Sequence, residues 1–156
     1  MFFREQHITG KLVYAGRFSV KARITDEENQ EFNILSLDFW KKSFEVRSEK
    51  KAIMSFKKKW TGKTYVKTFF DTGETEYFFR HKVIFKSRYV LTDKDDREMA
   101  VIKTKFNRKR FKLDFEIVIS DSLKRRPHYF LLVALMVYLC KDYILHQTTV
   151  AAVSCF

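Results

Sequence analysis

The feature that most constrains the fold is an unbroken apolar run, YFLLVALMVYLC, from Tyr129 to Cys140, in a chain that is 32% charged. A membrane-spanning helix needs about 20 apolar residues, and this run stops after twelve. Lys141 and Asp142 follow it, and each would cost about 2.5–3.5 kcal/mol deep in a bilayer. The run therefore favours a helix that protein surrounds on every side. A membrane span flanked by the basic residues 124–126 is the alternative.

The sequence predicts this helix over about residues 127–145. Pro127 suits a first helical turn, and Asp121 or Ser122 could cap an earlier one. The segment LLVALM consists mainly of good helix formers. At 1.5 Å per residue the helix is about 30 Å long, the diameter of a small domain.

Alternating apolar and polar residues recur through the first 120 residues or so. The clearest examples are FSVKARIT from Phe18, YFFRHKVIFK from Tyr77 and FKLDFEIVI from Phe111. Alternation of this kind is typical of antiparallel strands with one buried face. Polar turns at residues 26–29, 71–74 and 93–96 separate such stretches. The pattern predicts a meander of hairpins.

An internal repeat indicates a duplicated set of strands. Residues 24–46 match residues 91–113 without a gap, at an offset of 67. Thr25 corresponds to Thr92 and Asp26 to Asp93, and several apolar positions are exchanged conservatively. In each copy we expect a strand that ends in Thr-Asp, a turn, and two further strands. The repeat predicts a sheet built in two similar halves.

A helix that is apolar all round needs cover on every side, which a two-layer sandwich does not provide. We therefore predict a closed antiparallel β-barrel around the C-terminal helix. The segments ARITDEENQEFNILSLDF, YVLTDKDDREMAVIKTKF and HYFLLVALMVYLCKDYI resemble the tubby C-terminal-like superfamily, which includes tubby proteins, phospholipid scramblases and LURP-one-related proteins. This resemblance implies one domain over residues 1–156, with about twelve strands around the buried helix. The tail after Leu145 continues beyond the usual end of the family helix.

The sequence offers little that indicates catalysis or metal binding. The four histidines are scattered, and the acidic turn at residues 93–96 lacks the glycine and glutamate of a calcium loop. His81 lies on an apolar strand face, which favours a hydrogen-bonded core histidine. Cys140 and Cys155 are expected to be reduced and packed. We predict that the chain is not an enzyme and needs no metal or cofactor.

The formal net charge of +12 favours polyanionic partners. Basic residues recur at the outward positions of two strands and could gather into one phosphate-binding patch. Ordinary solvated strand faces are the alternative. The resemblance to tubby proteins implies a headgroup-binding patch on the barrel surface. The candidate residues for binding an anion or lipid headgroup are Arg80, Lys82, Lys86, Arg88, Arg108, Arg110 and Lys112.

The expected function is therefore a non-enzymatic binding module for anionic phospholipid headgroups, cytoplasmic and peripheral at the inner membrane surface. No secretion signal is recognised at the N-terminus. Nucleic-acid binding is an alternative, with Trp40 and Trp60 available for base stacking. A scaffold with a protein partner is another. Scramblase-like activity is disfavoured by Lys141 and Asp142, because the helix would have to enter lipid.

Overall fold

The computed structural model describes residues 2–5, 8–14, 20–38, 40, 42–49, 51–70, 73–83, 87–109 and 112–154. The described chain forms eleven strands and two helices. The strands are β1 Phe2–Glu5, β2 Ile8–Tyr14, β3 Val20–Thr25, β4 Glu31–Ser36, β5 Ser43–Ser48, β6 Lys51–Lys58, β7 Thr64–Thr68, β8 Thr75–Val83, β9 Ser87–Asp93, β10 Glu98–Asn107 and β11 Lys112–Ile119. Phe18, Asp71, Phe111 and Cys155, which entered the predictions above, lie outside the described residues.

All eleven strands belong to one antiparallel sheet in which each strand pairs with its neighbours in the chain. No hydrogen-bonded pairing joins β1 to β11 in the part of the chain that the structure describes. The prediction of a mainly antiparallel β fold followed by a C-terminal helix is confirmed. The order of the strands is that of a simple meander, so strand pairing is local in sequence.

One face of the sheet supplies most of the core. The alternation that predicted β3 and β8 is confirmed, because Ala22, Ile24, Tyr77 and Phe79 are all buried. Other strands contribute in the same way, with the buried residues Phe32, Ile34, Phe44, Val46, Met54, Phe56, Val66, Tyr89, Leu91 and Ile102. Such alternate burial is expected for strands with one solvated face.

The repeated sequence forms the same turn twice. The Asp26 carboxylate accepts hydrogen bonds from the backbone N–H groups of residues 28 (3.0 Å) and 30 (2.8 Å). At the offset of 67, the Asp93 carboxylate accepts from residues 95 (2.9 Å) and 97 (3.0 Å). Asn29 and Asp96 also correspond, and both are left-handed, with φ of 61° and 62°. An Asp side chain that bonds the backbone of its own turn stabilises the hairpin. The shared Thr-Asp step therefore specifies the same turn in each copy.

The third strands of the two copies are paired differently. Val46 in β5 pairs with Ile34 in β4. Leu113, which matches Val46 in sequence, pairs with Phe106 near the end of the longer strand β10. The registers also differ within the first hairpin, since Ile24 pairs with Phe32 whereas the corresponding Leu91 pairs with Ala100, beyond an irregularity between Glu98 and Ala100. The gapless match therefore describes the turn and the strand pair next to it, and the pairing register departs from it afterwards.

The C-terminal segment begins with a short helix and a turn. Helix α1 spans Asp121–Lys124, and its N-cap is Ser120, whose hydroxyl accepts from the N–H of Leu123 at 3.2 Å. The cap is thus Ser120 and neither of the predicted residues, Asp121 or Ser122. Pro127 precedes the second helix and does not begin it, because His128 adopts a left-handed conformation with φ 57°.

Helix α2 spans Tyr129–Ser154, well beyond the predicted end at residue 145. The segment HQTTVAAVS contains neither Pro nor Gly, so it lacks the usual helix breakers. Every residue from Leu131 to Cys140 is buried. Because successive residues point 100° apart around a helix, this run is covered on all its faces. Burial also raises the pKa of the Cys140 thiol to about 12.

The length and composition of the segment Tyr129–Gln147 would suffice to cross a membrane. In the structure, 56% of an apolar 18-residue stretch of this segment is buried inside the protein. The core helix of a soluble protein can be equally long and equally apolar, so length and composition alone are weak evidence for a membrane span.

Candidate functional site

The meander places alternate connections at opposite ends of the sheet, because each strand runs antiparallel to the next. The described residues of the connections after β3, β5, β7 and β9 lie at the entry end, where α2 begins. There the His128 ring lies 4.9 Å from the ring of Phe70. The described residues of the connections after β4, β6 and β10 lie at the exit end, toward which α2 runs. There Asp142 forms an ion pair with Lys58, the last residue of β6.

The two ends differ in chemistry. The entry end carries the acidic turns at residues 26–29 and 93–96, together with the basic residues 124–126. The described residues of the exit-end connections include Trp40, Lys42, Trp60, Lys63 and Arg108. The exit end therefore combines positive charge with aromatic side chains.

The turn between β4 and β5 is held by Asp38. Its carboxylate accepts from the backbone N–H groups of Lys42 at 2.8 Å and Ser43 at 3.2 Å. The backbone hydrogen bond from Lys42 is the main cause that lowers the pKa of Asp38. Leu37 donates its N–H to the carbonyl of Ser43 at 2.8 Å. This turn leaves Leu37 51% exposed and Trp40 77% exposed.

The turn between β6 and β7 lies beside it. Lys59 donates its N–H to the carbonyl of Lys63 at 2.9 Å, and Gly62 has a φ of 78°, which glycine adopts without strain. Trp60 at this turn is 91% exposed. The N–H of Lys58 also donates to the carbonyl of Lys42 at 2.8 Å, so the two turns are joined through the backbone.

Lysines of these turns lie over aromatic rings. The ammonium of Lys42 is 4.0 Å from the centre of the Trp60 ring. The ammonium of Lys59 is 4.3 Å from the centre of the Tyr65 ring. The ammonium of Lys63 is 4.3 Å from the centre of the Phe78 ring. Such cation–π contacts are worth about 0.5–1 kcal/mol at exposed sites.

We name six residues of these two turns the tip cluster: Leu37, Trp40, Lys42, Lys59, Trp60 and Lys63. Within the described part of the chain, none of its three lysines forms an ion pair with a carboxylate. The tip cluster thus places three lysines beside two exposed indoles, and the carboxylate nearest to Lys42 in the turn is that of Asp38, whose pKa the lysine charge helps to lower.

The structure brings together part of the predicted basic patch. Lys82 in β8 lies directly opposite Arg88 in β9, and Lys103 in β10 lies on the other side of Arg88. Glu98 contacts Lys82 at 3.2 Å and Arg88 at 3.3 Å. This shared carboxylate neutralises part of the charge of the patch.

Arg80, also predicted for the patch, forms an ion pair with Asp96 of the acidic turn at the entry end. Its side chain is only 29% exposed. An arginine paired in this way is less available to an external phosphate than an exposed one.

Of the remaining predicted residues, the structure describes Arg108 and Lys112, near the connection between β10 and β11. Arg108 was predicted at an outward strand position, but it is exposed in the turn after β10, at the exit end, because β10 ends at Asn107. Lys112 lies opposite Asn107 at the start of β11, and its side chain is outside the description. Lys86 and Arg110 lie outside the described residues.

The predicted packing of His81 is observed, although the residue is only half-buried. Its ring stacks on Tyr89 at 4.6 Å, and its Nδ1 lies 3.3 Å from the hydroxyl of Tyr143 in α2. Desolvation lowers the pKa of His81. These contacts hold α2 against β8 and β9 near the exit end.

A second contact between the sheet and α2 at the exit end, an ion pair, was not predicted. The side chains of Lys58 and Asp142 are each 25% exposed and form an ion pair between β6 and α2. The signal in the sequence was the charged step after the apolar run, but its partner is distant in the chain. The tip cluster was missed for the same reason, since its two turns meet only through the sheet.

Among the described residues, no three His, Cys, Asp or Glu side chains converge in a way that could hold a metal ion. Comparisons of the chain with protein-family models, curated proteins and solved structures found no match. The resemblance to the tubby C-terminal-like superfamily therefore stays a prediction.

Proposed function

We propose that this chain is a non-enzymatic module that docks reversibly on anionic membranes through phospholipid headgroups. The observation that carries the proposal is the placement of Lys42, Lys59 and Lys63 over aromatic rings at one end of the sheet. A basic residue near an anionic membrane contributes about 1 kcal/mol to attachment. Several such residues at one end are enough for reversible binding. The proposed location is the inner, cytoplasmic surface of a membrane.

We also propose that the sheet closes around α2 as a tubby-like barrel. The support comes from strands far apart in the sheet that contact the same helix. Tyr14 of β2 stacks on Tyr138 at 5.8 Å, and Phe56 of β6 meets the same ring edge-on at 6.2 Å. Tyr89 of β9 meets Tyr143 at 5.7 Å. A closed sheet would hold the exit-end turns in fixed positions, which reduces the entropy lost on docking.

The basic residues outside the tip cluster have a supporting role in this proposal. Arg108 is exposed in another connection at the exit end. Lys82 and Arg88 also lie near the exit end, but both form ion pairs with Glu98. Phosphate groups are good partners for arginine and lysine. Arg108 therefore extends the positive surface, whereas Lys82 and Arg88 contribute less.

The test neutralises the tip lysines in the variant Lys42→Gln, Lys59→Gln, Lys63→Gln. Removing three charges near the surface costs about 3 kcal/mol of attachment energy, which is roughly a hundredfold in partition coefficient. The measurement is flotation with equimolar phosphatidylcholine and phosphatidylserine vesicles at low salt.

The matched control removes three exposed basic side chains at the entry end, in the variant Lys51→Gln, Lys94→Gln, Arg97→Gln. It has the same net charge as the tip variant, so any difference between them reports position. Equal binding by the two variants would assign attachment to overall charge and reject the exit end as the site. Wild-type protein that fails to float with these vesicles would reject the proposed function.

Nucleic-acid binding is the second candidate, and the 91% exposure of Trp60 beside lysines is the observation that favours it. Exposed aromatic rings beside basic residues stack with bases of single strands. One face of Trp60 is occupied by the Lys42 ammonium, which leaves less ring for a base. Binding to oligothymidylate with a steep salt dependence, in the absence of vesicle flotation, would favour this candidate.

A further inference from the structure

We infer that the tip cluster does more than attract headgroups: Leu37, Trp40 and Trp60 insert into the interfacial layer of the anionic bilayer while the lysines beside them contact phosphates. This inference rests on the proposed membrane docking and specifies its mode. It makes the two turns a paired anchor.

Exposure of these apolar side chains is the first argument. Leu37, Trp40 and Trp60 are 51%, 77% and 91% exposed. A site that needed only positive charge would gain nothing from showing two indoles to water. Tryptophan favours the membrane–water interface, where its apolar ring and its N–H group both find suitable surroundings. Grouped exposed apolar side chains of this kind mark interaction surfaces.

The arrangement of the two turns is the second argument. Asp38 bonds across the turn that carries Trp40, and the left-handed Gly62 closes the turn that carries Trp60. The hydrogen bond from Lys58 to the Lys42 carbonyl keeps the two turns side by side. Two anchors fixed to one sheet can enter a bilayer together without the cost of ordering separate loops.

The lysines lie where a membrane anchor needs them. The Lys42 ammonium is 4.0 Å from the centre of the Trp60 ring, so charge and indole are at the same edge of the molecule. Lysine stems follow apolar surface while their ammonium groups reach polar surroundings. In a docked protein this places the ammonium groups among phosphates and the indoles just below them.

The course of α2 is consistent with this orientation. The helix runs toward the exit end and continues to Ser154. No Lys, Arg, Asp or Glu side chain follows Asp142 in the sequence. The helix beyond Asp142 therefore brings no acidic side chain that would repel an anionic bilayer.

The chain contains two tryptophans, Trp40 and Trp60, so its tryptophan emission reports the two tips alone. We would record emission spectra with the same anionic vesicles used for flotation, with and without brominated lipid. The expected result is a shift of the emission to shorter wavelength and quenching by the brominated acyl chains. The variants Trp40→Phe and Trp60→Phe assign the signal to each tip.

A binding measurement complements the spectra. The variant Trp40→Ala, Trp60→Ala is expected to bind anionic vesicles at least about tenfold more weakly at high salt, where the lysine attraction is screened. The control Phe69→Ala removes an aromatic ring that is 36% exposed, at the entry end, and is expected to bind like the wild type.

The outcomes separate the two ideas. Flotation without a spectral shift or quenching would overturn insertion and leave the proposed docking intact. Absence of flotation would reject the docking and the insertion together. Absence of flotation combined with quenching by oligothymidylate would assign the tips to nucleic acid instead.

Discussion

Replacing Leu135 by Ala tests whether protein surrounds α2. Leu135 is 1% exposed and lies in the middle of the buried run. Removing its isobutyl group loses the transfer free energy and leaves a cavity, which together cost about 3–5 kcal/mol. Domains are stable by about 5–15 kcal/mol in total, so the loss is a large share. In a chain of this size it lowers the melting temperature by roughly 6–20 °C.

The matched control is Leu145→Ala in the same helix. Leu145 is 63% exposed, so its replacement is expected to change the free energy of unfolding by no more than about 0.5 kcal/mol. Both variants exchange Leu for Ala within a helix, and the difference in propensity is the same for each. The contrast between them therefore isolates burial.

The assay is urea unfolding in buffer without detergent, followed by circular dichroism. An unchanged dependence of the unfolding free energy on urea would show that the two variants unfold the same structure. A cost below about 1 kcal/mol for Leu135→Ala, or equal costs for the two variants, would refute the reasoning that α2 is enclosed by the sheet.

Three further predictions concern the interior. Gly10→Ala places a methyl group into the ring of Phe130, and we expect urea unfolding to show a loss of about 1–3 kcal/mol that largely disappears in a Phe130→Ala background. With Cys155 replaced by Ser, the buried Cys140 should resist a thiol reagent until urea unfolds the chain; rapid labelling of the folded protein would contradict its burial. Because burial lowers the pKa of His81, the unfolded state takes up its proton first as the pH falls through about 6.5, so stability decreases below that pH. Unfolding at about pH 7.5 and about pH 5.5 should show a smaller difference for His81→Leu than for the wild type, and an unchanged difference would contradict this assignment.

Much of the fold could be predicted because its signals are local. The alternation around Ala22 and Ile24 predicted β3, and the Thr-Asp step predicted the turns that follow β3 and β9. Side chains that alternate along a strand, and an Asp that bonds its own turn, depend only on residues near one another in the chain. Helix α2 was predicted in the same way, but its bounds were not, since Pro127 precedes it and no breaker stops it at residue 145.

The candidate site was predicted less well because its members are distant in sequence. Lys82 and Arg88 were expected to gather in one patch and do so, but Glu98 joins them there. Trp40 and Trp60 were recognised as separate candidates for stacking on bases. Their placement on adjacent turns follows from the pairing of the strands that carry those turns and from the backbone hydrogen bond that joins them.

The sequence by itself determined the strands, the acidic turns and an apolar helix too poor in charge to face water. Only the tertiary structure decided which turns lie at the same end of the sheet, which lysines form ion pairs with carboxylates and which residues cover α2. The ion pair between Lys58 and Asp142 illustrates the difference, since 84 residues separate its partners. Periodicity and turn chemistry act between neighbours in the chain, whereas charge pairing and exposure depend on distances that the folded sheet sets.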